Sequence, residues 1–360
     1  MIIVRAPLRV SFFGGGTDLP AWFREYGRGA VLSTSINKYI YIQLRHLPAV
    51  FQFHHRVVWR EVEQVNHVSE IKHPVVRAIL THYGKDDPVG YEIIYNADLP
   101  ARSGLGSSSA FTVACLHAFK ANNGIYVDPR KLASEAIHVE QTLLGEPVGC
   151  QDQVAAAFGG LNQIEFNQDG SFKVRPVTLM QERREQLEDS LLMFFTGFTR
   201  NASDIEDAKR QNFAAKRAEL TRMAEMVDEG LEVLQNPSRS LDELGRLLDE
   251  AWRLKRGLAA AVSSSGVDAI YAAALRAGAT GGKLLGAGGG GFILFYAPPE
   301  RHQRIINALD GCFHVPFKFD REGSRVVLFD QALTANYQST NTRSLKGIID
   351  DSVTSLKVAI

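Results

Sequence analysis

In the first hundred residues the apolar positions recur with a period near two. IIVRAPLRVSFF, Ile2 to Phe13, predicts two short strands around Pro7. AVLSTSINKYIYIQLRHL, Ala30 to Leu47, and VFQFHHRVVWREV, Val50 to Val62, are β-branched and aromatic with partial alternation and predict further strands. The period lengthens to that of a helix over Pro74 to Tyr83, and Tyr91 to Pro100 returns to a strand that runs into a turn. Three helices are predicted next. One starts near Gly106, one runs from Pro129 to Leu144, and one covers Gln151 to Phe158, closed by Gly159 and Gly160. LNQIEF and FKVRPVTL then predict two strands joined by the turn over Asn167 to Gly170.

After Met180 the texture changes. SLLMFFTGF reads as a strand, and Ala202 to Leu234 reads as one long charged amphipathic helix. Further helices are expected over Ser240 to Val262 and Gly266 to Ala277. GFILFYAPP, ERHQRIINAL and SRVVLFD close the sequence with strand, helix and strand. These shifts place a boundary near residue 180, giving units over 1–180 and 181–330 and an extension of unassigned role over 331–360.

Composition narrows the functional classes. The chain has 360 residues, 45% hydrophobic and 22% charged, which is ordinary for a folded protein with room for two cores. Lys plus Arg and Asp plus Glu stand at 40 each, so no global charge points to nucleic acid or an anionic membrane, and any anionic ligand must be held locally. Cys115, Cys150 and Cys312 are far apart and lack metal-ligand spacing, which fits buried thiols in a reducing, cytoplasmic setting. The N-terminus is broken by Arg5 and Arg9 before a signal-length apolar run accumulates, and Leu284 to Pro299 is too short and too glycine-rich to span a bilayer.

Three glycine-rich stretches carry the candidate chemistry. GLGSSSA, Gly104 to Ala110, lies between a predicted strand and a predicted helix. A helix N-terminus offers unpaired N–H groups and partial positive charge, and glycines let a backbone approach a phosphate closely. No Gly-Lys-Ser/Thr follows, so this is not a Walker A loop, and one of the serines could simply cap the helix. KLLGAGGGGFILFY, Lys283 to Tyr296, places five glycines in six positions. A strand-like run follows, which excludes the dinucleotide fingerprint. Close passage beside a ligand or another backbone explains the glycines. In FFGGGTDLPAWF, Asp18 either caps a short helix begun by Pro20 or accepts hydrogen bonds from a polyol.

Two carboxylates stand out between these stretches. Glu140 falls on the apolar stripe of its helix, with Ala136, Ile137, Leu143 and Leu144 as its neighbours and no local cation. A carboxylate turned toward a core needs a partner such as Mg²⁺, unless it lies at the stripe's edge and reaches water. Asp152, in VGCQDQVAAAFGG, either complements the dipole of its own first turn or serves as a base or orienting group for a hydroxyl nucleophile.

APLRVSFFGGGTD, LPARSGLGSSSA and KLLGAGGGGF, in this order, resemble the three motifs of the GHMP kinases. The likeness covers roughly Ile2 to Asp330. RAPLRVSFFGGGTDLPAWF is most similar to bacterial D-glycero-D-manno-heptose 7-phosphate kinases, with the fucokinase-type sugar kinases behind them. The resemblance implies an α+β fold of two domains: a ribosomal-protein-like N-terminal domain with a left-handed β-α-β unit and a ferredoxin-like C-terminal domain. It implies ATP and Mg²⁺ as cofactors and a sugar or sugar phosphate as the small-molecule partner of a monomer or homodimer. The implied ATP contacts are Gly104, Leu105, Gly106, Ser107, Ser108 and Ser109, with Ser108 and Glu140 on the metal. The implied catalytic pair is Asp152 and Arg9. Asp18, Gly15, Gly16, Gly288 and Gly289 would face the substrate. Galactokinases carry Glu-His where this chain has Gly15 and Gly16, which argues against galactose. Arg102, Arg200 and Lys283 are the cations that could meet a phosphate on the sugar. A fucokinase-like enzyme and a non-catalytic sugar sensor on the same fold stand as alternatives.

Overall fold

The computed structural model describes residues 1–48, 50–84, 90–198 and 202–330. Arg200 and the 331–360 extension lie outside them. The first unit is built on strands β1 (Ile2–Phe13), β2 (Gly29–Leu47), β3 (His55–Val58), β4 (Val62–Val65), β5 (Gly90–Ala97), β6 (Leu161–Phe166) and β7 (Phe172–Pro176). Its helices are α1 (Pro20–Tyr26), α2 (Pro74–Tyr83), α3 (Ser107–Asn122), α4 (Pro129–His138) and α5 (Gln151–Phe158). The second unit carries β8 (Leu191–Phe195), β9 (Gly281–Leu284), β10 (Phe292–Tyr296) and β11 (Phe313–His314), with α6 (Gln181–Asp189), α7 (Ala202–Gln211), α8 (Arg217–Gln235), α9 (Asp242–Arg256), α10 (Ser265–Ala277) and α11 (His302–Ala308). A last strand, β12 (Arg325–Phe329), returns to pair antiparallel with β1, Ile2 opposite Phe329 and Arg5 opposite Arg325. The large sheet therefore runs β12-β1-β2-β5-β3-β4, with β6 and β7 continuing from β2. The smaller sheet runs β11-β8-β10-β9 and is antiparallel throughout.

Local sequence accounts for the main departures from expectation. The two strands expected around Pro7 are one, with a register shift between Pro7 and Leu8 where proline offers no N–H to the ladder. The long helix expected from Ala202 breaks into α7 and α8. At the break the Phe213 ring turns inward against Trp22, ring centroids 5.9 Å apart. The second expected helix ends as an α-helix at His138 and continues as a π turn over Val139–Leu143, closed by the Leu144 N–H on the Val139 carbonyl. α3 is apolar almost all round, AFTVACL, and is buried on nearly every face. That burial fixes the position of its N-terminus, where the candidate site begins.

Candidate active site

α3 starts without a side-chain cap. Its N-cap is Gly106, in the left-handed region at φ 75°, and none of the three serines caps it. The first-turn N–H groups are thus left to an outside acceptor, which is the condition for anion binding at a helix start. The serines are otherwise engaged. Ser107 Oγ accepts from the Arg102 N–H at 3.2 Å, Ser109 Oγ donates to Glu140 Oε2 at 2.9 Å, and Ser108 is exposed. Leu105 is buried, and its carbonyl accepts from the Arg9 N–H at 3.0 Å, tying the loop to β1.

The second glycine run passes directly beside this loop. A Cβ on Gly104 would meet the Leu285 carbonyl oxygen at 2.7 Å, and one on Gly286 would meet the Gly104 Cα at 2.4 Å. The Phe292 N–H donates to the Ser103 carbonyl at 2.9 Å. The glycines from 286 onward therefore allow two backbones to touch. Gly288 and Gly289 meet Val262: a Cβ on Gly288 would lie 2.8 Å from its carbonyl oxygen, and the Gly289 N–H donates to it at 2.9 Å.

Arg9 joins the loop to the candidate base. Its Nη1 donates to the Gly104 carbonyl at 2.6 Å, while Nε and Nη2 donate to Asp152 Oδ1 and Oδ2 at 2.8 Å each. Asp152 stands in the first turn of α5 with 24% of its side chain exposed, so the paired carboxylate still has an open edge. A Cβ on Gly106 would lie 3.2 Å from Asp152 Oδ2 and 3.3 Å from Arg9 Cγ. The loop, the guanidinium and the carboxylate thus surround one point.

Glu140 sits in the π turn, 1% exposed. Oε2 accepts from Ser109 Oγ at 2.9 Å and from Gln153 Nε2 at 2.5 Å, while Oε1 is buried with no partner. Burial pushes this carboxyl up to about 7, against hydrogen bonding, that from Ser109 and Gln153 included, which favours the charge. An orphaned oxygen and a carboxyl that charges reluctantly are what a cation ligand looks like without its cation. Among the described residues no group of three or more His, Cys, Asp or Glu could hold a metal by itself. A cation at Glu140 would take its other ligands from hydroxyls, phosphates and water, and the residues present fit that.

At the first glycine stretch, Asp18 is buried and does not cap α1, whose N-cap is Leu19. Its Oδ1 accepts from the Gly16 N–H at 2.9 Å and its Oδ2 from the Gln151 N–H at 3.4 Å. Asp18 thereby links the first glycine stretch to α5 and Asp152. Lys283 is buried in β9, with Nζ donating to the Phe12 carbonyl at 2.8 Å. Burial first, then the Arg9 and Lys209 charges, lowers its ammonium to about 7. Arg102 is exposed, at φ 57°. Cys115 and Cys150 are buried free thiols, both raised by burial to about 12.

Sequence reasoning gave Ser109 to ATP without its bond to Glu140, and missed Gln153 and Lys255. Ser109 and Gln153 share Glu140 Oε2; the signal was a glutamine opening the apolar run QVAAAF. Lys255, buried in α9, donates to the Leu284 carbonyl at 2.7 Å and the Gly286 carbonyl at 2.6 Å. Nothing local in the sequence marks it, because its partners lie some thirty residues away.

Comparison with known proteins gives the class, a small-molecule kinase, and the family. The family models for the GHMP kinases N-terminal domain and C-terminal domain match residues 66–160 and 230–314. The chain is 30% identical over 332 residues to a D-glycero-alpha-D-manno-heptose 7-phosphate kinase of Campylobacter jejuni, covering 89% of this chain and 97% of that one. It is 26% identical to a bifunctional fucokinase/GDP-fucose pyrophosphorylase of Arabidopsis thaliana, over 82% of this chain and 30% of that one. Among solved structures, a D-glycero-D-manno-heptose 1-phosphate kinase from Bacteroides thetaiotaomicron aligns with TM-score 0.75 and 25% identity over 92% of this chain and 100% of that one. The chain belongs to the GHMP kinases. It is an ATP-dependent phosphotransferase acting on a sugar hydroxyl. No helix among the described residues is long and apolar enough to cross a membrane.

Proposed function

We propose that this kinase transfers the γ-phosphoryl group of ATP to the anomeric hydroxyl of D-glycero-D-manno-heptose 7-phosphate, giving the 1,7-bisphosphate. The observation that carries the reading is Arg9, whose one guanidinium binds both the glycine-serine loop at Gly104 and the carboxylate of Asp152. A phosphoryl donor at the start of α3 and a hydroxyl on Asp152 would then be neighbours. The substrate itself is supported by the Campylobacter relative, which is similar along nearly its whole length.

Loop amides from Gly104 to Ser109 cradle the phosphates, with the dipole of α3 behind them. Glu140, with Ser108 and Ser109, would hold Mg²⁺, which when bound supplies charge neutralisation on the β- and γ-phosphates. Asp152 accepts or directs the proton of the attacking hydroxyl, and Arg9 holds that carboxylate in position while placing positive charge beside the transferring group. Asp18, with the backbone of Gly15 and Gly16, faces the sugar. Most of the rate enhancement comes from positioning and fixed charge, as in phosphoryl transfer generally.

The test is ADP release from ATP and Mg²⁺ over a panel of heptose 7-phosphate, mannose, L-fucose and galactose, with Asp152→Asn as control. Heptose 7-phosphate should give the highest kcat/KM. L-fucose in first place would support the fucokinase-like alternative, to which the Arabidopsis relative points. No sugar-dependent ADP release with any member would leave a non-catalytic sensor.

A further inference from the structure

Gly15 is a glycine with no visible reason to be one. Its neighbours Gly14 and Gly16 need the residue type, at φ 84° and 101°, but Gly15 is not in the left-handed region. Crowding does not require it either. A Cβ there would meet nothing nearer than Gln151 Nε2 at 3.8 Å and Ser11 Oγ at 3.9 Å. The glycine leaves open the space that a methyl would fill beside Ser11 and Gln151.

The two side chains beside that space are also incomplete. Ser11 is 5% exposed, and its hydroxyl has no hydrogen-bond partner. Gln151 Oε1 is buried and likewise unpartnered. A buried polar atom left without a partner is costly, so two on side chains that border the same space mark a place where a ligand's hydrogen bonds belong. Gln151 is partly exposed at the start of α5, with its Nε2 on one side of the space and Ser11 Oγ on another.

Their placement says which hydroxyl. Ser11 is two residues beyond Arg9 on β1, hence on the same face of that strand. Gln151 is the residue immediately before Asp152 on α5. Arg9 and Asp152 mark the reacting oxygen, and Ser11 and Gln151 stand one step to the side of each. We propose that Ser11 and Gln151 are the specificity-determining pair for the acceptor, hydrogen-bonding the hydroxyl on the carbon next to the one phosphorylated, with Gly15 leaving room for it. The ligand class is a sugar bearing a free hydroxyl beside the reacting position. This inference rests on the sugar-kinase reading and deepens it.

The experiment compares D-glycero-D-manno-heptose 7-phosphate with its 2-deoxy counterpart in wild type and in Ser11→Ala, Gln151→Met and Gly15→Ala. Wild type should prefer the parent sugar by roughly 10- to 100-fold in kcat/KM, the scale of a lost hydrogen bond with its partners left unpaired. In Ser11→Ala and Gln151→Met that preference should fall to within about threefold, through loss on the parent sugar, with the KM for ATP unchanged within about twofold. Gly15→Ala carries no backbone strain, so it should fold normally and raise the sugar KM alone. Variants that bind ATP normally and keep the full preference for the parent sugar overturn the pair's role. Wild type that turns over neither sugar while releasing no sugar-dependent ADP across the wider panel overturns the kinase reading itself, and this inference with it.

Discussion

Arg9 holds Asp152 by a two-pronged pair, Nε to Oδ1 and Nη2 to Oδ2 at 2.8 Å each, and spends its remaining nitrogen on the Gly104 carbonyl at 2.6 Å. The planar guanidinium fixes the angle of the carboxylate as well as its distance, which a lysine could not do. The two residues differ in what their loss removes. Asp152→Asn keeps the shape and one of the two hydrogen bonds to Arg9, its amide nitrogen being a donor where the carboxylate accepted, and it leaves the Arg9 bond to Gly104 in place, so it should lower kcat by about 10²–10⁴ with little change in the KM for ATP. Arg9→Met also releases Gly104, so it should lower kcat and raise the ATP KM together. Steady-state kinetics on the two variants checks this; equal effects on ATP KM would refute the division of labour.

Lys255 reaches the glycine-serine loop at second hand. Its ammonium binds the Leu284 and Gly286 carbonyls, and Leu285 and Gly286 are the residues against which Gly104 is packed. Lys255→Met strands two carbonyls that a buried cation had satisfied, at a cost of about 1–3 kcal/mol. It should raise the ATP KM roughly tenfold by loosening the loop, while the sugar KM stays near its original value. Lys255→Arg should recover part of the loss. A fall in Tm with both KM values intact would make the lysine a purely structural clamp.

The reach of sequence reasoning follows from the range of the forces involved. Pro74–Tyr83 and Gln151–Phe158 were legible to the residue, because proline starts the one and Gly159 stops the other. The glycine run after Lys283 was legible as a close approach, and the backbone it meets is that of Ser103 and Gly104. Arg9, Asp152 and Glu140 were found through a family likeness and through Glu140's place on an apolar stripe. Which serine touches Glu140 was not legible. Ser107, Ser108 and Ser109 differ only by 100° steps around α3, and only the packing of α3 against the π turn selects Ser109. The helix break at Phe213 was hidden for the same reason, since Trp22, the ring that Phe213 meets there, lies nearly two hundred residues earlier.

Glu140 gives the site a pH signature that needs no substrate. Its carboxyl titrates at about 7 in the folded chain against an ordinary 4.5, chiefly because it is buried. The folded state therefore holds a proton that the unfolded state has given up between those values. The stability this contributes is whole below pH 4.5 and is lost as pH rises through about 7, amounting to about 3 kcal/mol. In EDTA, wild type should lose stability across that window, and Glu140→Gln, which has no proton to lose, should be flatter by that amount in denaturant melts. Adding Mg²⁺ and ADP should reverse the order above pH 7, because a cation needs the ionised carboxylate and stabilises only the chain that has one. Melts of the two proteins that run parallel from pH 5 to 8 without metal, and respond equally to Mg²⁺ and ADP, would remove Glu140 from the metal's ligands.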